Sequence, residues 1–224
     1  MGLEIKTVNT FKTDQENFWA GEFGSNYIER NNSRELLASN LNYFSSIFKN
    51  TNSIESVLEF GANIGMNMHA MKLLLPKASL DAVEINPVAY EELKQIPDVT
   101  AENCSIFDYK PNQKFDFVFT KGVLIHINPD ELDGVYQKMY DASSRYICVG
   151  EYYNPAPVAI PYRGHTDRLF KRDFAGEILD KFPDLELVDY GFSYRRDNNF
   201  KQDDITWFLM EKVIAKFNYS KRAS

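Results

Sequence analysis

The run Val57 to Asn67, VLEFGANIGMN, constrains this chain more than any other stretch. A short apolar segment leads through Glu59 to Phe60. The chain then turns through Gly61, Ala62, Asn63 and Gly65 and takes up helical spacing. Strand, glycine turn and helix in that order are how a parallel α/β sheet presents bare backbone to an adenosine-containing ligand. Gly61 supplies the tight turn, and Gly65 is expected to let the helix start close to the ligand. A nicotinamide-binding turn needs G-x-G-x-x-G. Here Asn63 and Met66 stand where its second and third glycines belong, so that spacing fails. Asn tolerates positive φ better than most side chains, which leaves the turn able to close at Asn63.

The pattern around this run extends the same plan. Apolar segments near 57–60, 80–85, 99–103, 115–120 and 146–151 alternate with helical patterns near 65–75, 87–95 and 129–141. Pro87 and Pro129 suit first-turn positions. A helix near 172–181 then precedes two alternating segments, 185–194 and 204–212. The expectation is an α/β fold: a Rossmann-like, doubly wound sheet of seven strands, closed by an antiparallel C-terminal hairpin. Ahead of it, Thr13 and Glu16 form a capping box, and Ser33 caps a helix with Leu36, Leu37, Asn40, Leu41, Phe44 and Phe48 at helical spacing. Residues 1–50 therefore read as an N-terminal helical cap, 51–214 as the ligand-binding domain and 215–224 as a tail.

Composition removes several classes of function. A net charge of −7 and a pI near 5.1 argue against a nucleic-acid backbone as main partner. The basic clusters Arg163/Arg168/Lys171/Arg172 and Arg195/Arg196 read either as solvated surface or as a seat for an anionic substrate. Cys104 and Cys148 form no C-x-x-C pair and have no metal-ligand spacing around them, so reduced thiols and no metal are expected. No apolar run approaches membrane-spanning length. The N-terminus lacks a signal-peptide core and a myristoylation pattern. A cytoplasmic protein is expected, without membrane or nucleic-acid partners and with its oligomeric state open.

Glu84 ends the second strand, about 20 residues beyond the glycine turn, where an acid can accept hydrogen bonds from ribose hydroxyls. Ile85 follows, placed to pack on adenine. With Glu59 two residues before Gly61, the turn resembles the first motif of class I S-adenosylmethionine-dependent methyltransferases, E/D-x-G-x-G-x-G, departing from it at Asn63. That ligand carries a sulfonium and an ammonium and no phosphate, so an acid beside the turn suits it. The resemblance implies cofactor contacts at Glu59, Gly61, Ala62, Asn63, Gly65, Glu84 and Ile85. It places Ser105 and Ile106 at the adenine ring, and Lys121 and Gly122 beneath the methionine part. S-adenosyl-L-methionine is the implied cofactor and S-adenosyl-L-homocysteine the product. The segment WAGEFGSNYIERN, taken with GANIGMN, further resembles a subgroup named for association with pseudaminic-acid biosynthesis. Trp19, Tyr27 and Arg30 either close over the sulfonium and carboxylate ends of the cofactor, or Trp19 and Tyr27 simply anchor the cap.

A methyl acceptor belongs beyond the strand ends. There the sequence offers Glu151 as leading base, with Tyr152 beside it and Tyr153 and Asn154 to line an acceptor pocket. His126 reads as base or as structural residue. The Pro-rich and then basic excursion 154–174 contributes Tyr162, Arg163, His165 (a second possible base) and Arg168. The function expected is methyl transfer to a hydroxyl, or an amine, of a small molecule, plausibly a sugar or sugar-nucleotide of surface-glycan (nonulosonic acid) biosynthesis. The alternative is a non-catalytic binder of S-adenosylmethionine or its product.

Overall fold

The computed structural model describes residues 11–27 and 33–213. A seven-stranded sheet organises them, in the order β3-β2-β1-β4-β5-β9-β8. The strands are β1 (Ser56–Phe60), β2 (Ser79–Glu84), β3 (Val99–Asn103), β4 (Phe115–Lys121), β5 (Ser143–Glu151), β8 (Leu185–Ser193) and β9 (Ile205–Lys212). β1 to β5 run parallel. β9 inserts antiparallel between β5 and β8. This is the expected doubly wound sheet with its closing hairpin.

The central strands read as unbroken apolar runs because helices cover both of their faces. Alternate residues feed two cores. Leu58, Val118 and Ile147 meet Met139 of α6 (Leu132–Ala142) and Ile178 of α7 (Phe174–Lys181). Val57, Phe117 and Phe119 meet Phe44 and Ile47 of α3 (Arg34–Phe48) and Met68 and Met71 of α4 (Met66–Leu74). Phe44 and Ile47 are fully buried, so α3 is part of the sheet's own core. The two helices before it, α1 (Asp14–Ala20) and α2 (Glu22–Tyr27), lie instead beyond the strand ends.

Strand order reverses between β1 and β4, and a crevice opens there at the carboxyl ends of the strands. α5 (Pro87–Leu93) begins at this end, with Asn86 as its cap and Pro87 in the first turn. The sequence pattern predicts an irregular excursion over 154–174. It contains a small antiparallel ribbon, β6 (Val158–Ala159) with β7 (Phe170–Lys171), folded around a tight turn from Tyr162 to His165.

Candidate cofactor and acceptor site

A cavity of about 480 Å³ occupies the crevice. The glycine turn forms its floor. Gly61 and Gly65 hold φ of 77° and 85°, and Asn63 joins them in the left-handed region at 50°. Asn63 steadies itself there, since its Oδ1 accepts from the Ile64 N–H at 2.8 Å. A Cβ on Gly61 would strike Val123. Gly65 departs from expectation. The space that its missing side chain frees is filled by Leu93 and Ile96, so it lets α5 approach, and it does not line the cavity.

Glu84 is fixed at the end of β2 by two backbone amides. Asn63 N–H donates to Oε2 and Asn86 N–H to Oε1, each at 2.7 Å. Burial pushes its carboxyl above the usual range, and these amides pull it back. The carboxylate thereby ties the turn after β1 to the turn after β2. It lines the cavity beside Ile85, Ala62 and Asn63.

Ser105 and Ile106 line the same end. Ser105 Oγ donates to the carboxylate of Glu16 on α1 and accepts from the Phe107 N–H at 3.1 Å. Glu16 also receives the Thr13 N–H at 2.8 Å, so the capping box read from the sequence doubles as a wall of the cavity. Asn86 holds the same cover. Its Nδ2 donates to the carbonyls of Trp19 (2.9 Å) and Gly21 (3.2 Å), while its Oδ1 caps α5. Trp19 lines the cavity. Arg30 and the side chain of Tyr27 lie outside the described residues.

Below the turn, Glu59 is wholly buried and does not reach the cavity. Its Oε1 accepts from Asn67 Nδ2 at 2.5 Å, while Oε2 has no hydrogen-bond partner among the described residues. Burial pushes its carboxyl up to about 8. Lys121, which lines the cavity together with Gly122, is pushed down to about 8 by the same cause, and Glu59 opposes that shift. Lys121 Nζ donates to Asn40 Oδ1 at 2.9 Å.

On the acceptor side the side chains sort differently from their order in the sequence. Glu151 faces inward, away from the cavity. Its Oε1 accepts from the N–H groups of Val123 and Leu124 at 3.0 Å and from Thr120 Oγ1 at 3.1 Å, and Oε2 from Ile125 N–H at 3.3 Å. With those oxygens engaged by the turn after β4, Glu151 anchors that turn and has no approach to an acceptor. Tyr152 does line the cavity. Tyr153 is turned out against Phe208, and Asn154 bonds to the carbonyl of Ala156. His126 and Tyr162 line the cavity, whereas Arg163, His165 and Arg168 do not. Arg163 lies over Tyr162 and Phe23, His165 against Phe18, and the Arg168 guanidinium over Phe18.

His126 is held by the backbone carbonyl of Arg168, 2.6 Å from Nδ1. A carbonyl only accepts, so Nδ1 carries the proton and Nε2 keeps its lone pair. Burial pushes this imidazole down to about 4, which keeps it neutral. Its ring packs against Trp19 (4.4 Å between centroids) and Tyr162 (5.5 Å). Gln15, also lining the cavity, donates to the carbonyl of Asp167 at 3.1 Å, so α1 and the excursion are stitched together above the site.

Sequence reasoning missed Gln15, Glu16, Asn40, Asn67 and Gln202 as parts of this site. The Thr13–Glu16 capping box was the only local signal. Asn67 closes the opening run itself and bonds to Glu59 within it, whereas Asn40 and Gln202 meet the site through contacts distant in sequence.

No protein-family model matches the chain, and no curated protein matches its sequence. Solved structures do match. Magnesium protoporphyrin IX methyltransferase from Synechocystis, with bound S-adenosylhomocysteine, superposes with a TM-score of 0.62 at 11% identity, over 88% of this chain and 97% of that one. An S-adenosylmethionine-dependent methyltransferase from Clostridium acetobutylicum gives 0.60 at 12% identity, over 85% and 97%. The N-terminal domain of EvdMO1, in the presence of S-adenosylhomocysteine and D-fucose, gives 0.56 at 13%, over 78% and 82%. The fold is therefore that of S-adenosylmethionine-dependent methyltransferases. No described helix is long and apolar enough to cross a membrane.

Proposed function

We propose that this chain is a class I methyltransferase that uses S-adenosyl-L-methionine to methylate a hydroxyl of a small molecule. The observation that carries the reading is Glu84. Its carboxylate is fixed at the end of β2 by the amides of Asn63 and Asn86, beside a left-handed glycine turn that lacks dinucleotide spacing. A ribose diol meets an acid held in advance, and the adenine meets Ile85, Ile106 and Ser105.

The bound cofactor supplies a methyl carbon already activated by its sulfonium. The chain's own work is then alignment and exclusion of water. Gly122, with open space where a side chain would stand, leaves room beside the methionine part. Trp19, His126 and Tyr162 line the acceptor end, and α1 and α2 cover the site. Neutral His126 accepts the acceptor's hydroxyl proton in a hydrogen bond through Nε2. A group held near 4 orients that oxygen and does not ionise it in advance. On methyl transfer the hydroxyl proton would pass along that hydrogen bond to Nε2 of His126 and on to solvent.

Aromatic rings at the acceptor end suit the apolar face of a sugar ring, and this supports a sugar or sugar-nucleotide acceptor of glycan biosynthesis. The EvdMO1 domain, crystallised with D-fucose, supports the same class. Free Cys104 and Cys148 fit work in the reducing cytoplasm. Labelled methyl donor incubated with the protein and a small-molecule extract tests the reading. Label in a new metabolite, lost in His126→Ala, is expected. Binding of the donor without any transfer would make the chain a binder only.

A further inference from the structure

The closing hairpin β8–β9 buries one of its faces and leaves part of the other open. Trp207 and Leu209 of β9 enter the core shared with α3 and α4, and the Trp207 ring lies close over Gly191. Phe208 and Met210 belong to the opposite face, with the core of α6 and α7. The register sets Leu187 against Met210, Tyr190 against Phe208 and Phe192 against Thr206, so these three share that second face. A bulge between Leu187 and Asp189 brings Leu187 onto the same side as Tyr190. α7 gives Phe174, Ile178 and Phe182 to the core around Leu185. Beyond Leu185 the cover ends: Tyr190 is 64% exposed and Phe192 59%. Leu187, Tyr194 and Tyr153 are exposed beside them. The rings run together, with Tyr190 stacked on Phe208 at 6.1 Å, Tyr153 against Phe208 at 5.8 Å and Phe192 against Tyr194 at 6.1 Å.

Charge avoids this run and gathers at its ends. Asp189 lies on the other face, opposite Leu209, and accepts a hydrogen bond from Asn50. Asp184 and exposed Glu186 stand at the start of β8, and exposed Arg195 and Arg196 follow its end. At about 200 Å² for a whole aromatic side chain, the five exposed residues leave about 500 Å² of apolar surface open on one copy. A stable complex buries about 800 Å² per partner, with an aromatic centre inside a polar rim. The apolar run supplies that centre, and the charged ends supply the rim.

We propose that this face docks a second copy of the chain, with the two hairpins packed face to face about a twofold axis near Tyr190 and their β8 strands antiparallel. The charges select the copy and its direction. Antiparallel order sets the basic end of each β8 against the acidic end of the other, twice over, whereas parallel order would bring like charges together. The interface borders the cavity at two places. Tyr152, next to Tyr153, lines the cavity, and so does Arg195 at the end of the run.

Sedimentation equilibrium of the full chain tests the interface. The wild type is expected as a particle of twice the 25.9 kDa chain mass, with a dimer Kd below about 10 μM. Tyr190→Glu combined with Phe192→Glu should weaken association by at least about 100-fold while the circular dichroism of the monomer stays native. Glu186→Arg should weaken it by about 10-fold, and adding Arg196→Glu to that variant should bring it back to within about 3-fold of wild type. These strand-end changes decide the matter if the aromatic pair fails to fold. A wild type that stays monomeric, or a dimer that the aromatic pair leaves intact, would overturn the proposal. Charge reversal without effect, or without rescue, would overturn the antiparallel order. A monomeric wild type that floats with phosphatidylcholine vesicles would assign the face to a membrane surface and overturn the second copy as its occupant.

Discussion

Glu84 braces two turns, and the proposed function makes it the receptor for a ribose diol. Glu84→Ala removes charge-assisted hydrogen bonds and should weaken S-adenosylhomocysteine binding by roughly 1–3 kcal/mol. Titration of the folded variant measures this. Asn63 sits at φ 50°, where a branched side chain is strained. Asn63→Gly should therefore be nearly neutral in thermal stability, and Asn63→Val should cost about 1–2 kcal/mol. Glu59 gives a pH signature. Its carboxyl stands at about 8 in the fold against an ordinary 4.5. Between those values the folded chain keeps a proton that the unfolded chain has released, so stability contributed here is present at low pH and is lost as pH rises through 8. Glu59→Gln removes that titration. Denaturant unfolding should show the variant gaining on wild type by roughly 3 kcal/mol between about pH 5 and about pH 8. A constant difference across that range would contradict the buried, singly bonded carboxyl.

At the scale of elements, the site is assembled by side chains that bond to backbone. Glu151 fastens the turn after β4, Asn86 fastens α1 and α2 to α5, and His126 fastens the excursion. Glu151→Gln puts an N–H group among backbone N–H donors. It should lower stability by about 2–3 kcal/mol and slow turnover through the displaced turn. A variant with native thermal stability and abolished turnover would restore Glu151 as a base. Asn86→Ala should cost about 1 kcal/mol from the lost cap of α5 and should speed release of S-adenosylhomocysteine, read by stopped-flow fluorescence of Trp19. These elements also mark what sequence alone can and cannot show. The left-handed turn at Gly61 and Asn63, the acid at Glu84 and the cap at Thr13 follow from local chemistry and were legible. The direction of Glu151 was not. A strand-end position says where a residue lies, and the neighbouring turn decides which way its side chain points. Tyr153 and Asn154 were misplaced for the same reason.

Across the whole molecule, the sheet was legible because its buried parallel strands are unbroken apolar runs and its closing pair alternates. The far wall of the site was hidden. Glu16 meets Ser105 and Gln202 meets Asn40 across long separations that no local pattern encodes. The ribbon β6–β7 has only two paired positions and leaves no periodic trace. Among the described residues, the proposed cofactor contacts that line the crevice lie at the carboxyl ends of β1, β2 and β4, under α1, or just beyond β3, whereas Glu59 and Gly65 lie behind it. The central claim is that this crevice holds a nucleoside by Glu84 and covers it with α1. A crystal structure of the protein with S-adenosylhomocysteine tests it most directly. The ribose is expected on Glu84, with adenine between Ile85 and Ile106 and the thioether beside Gly122. An empty crevice at saturating ligand, or the nucleoside seated away from Glu84, would contradict the account.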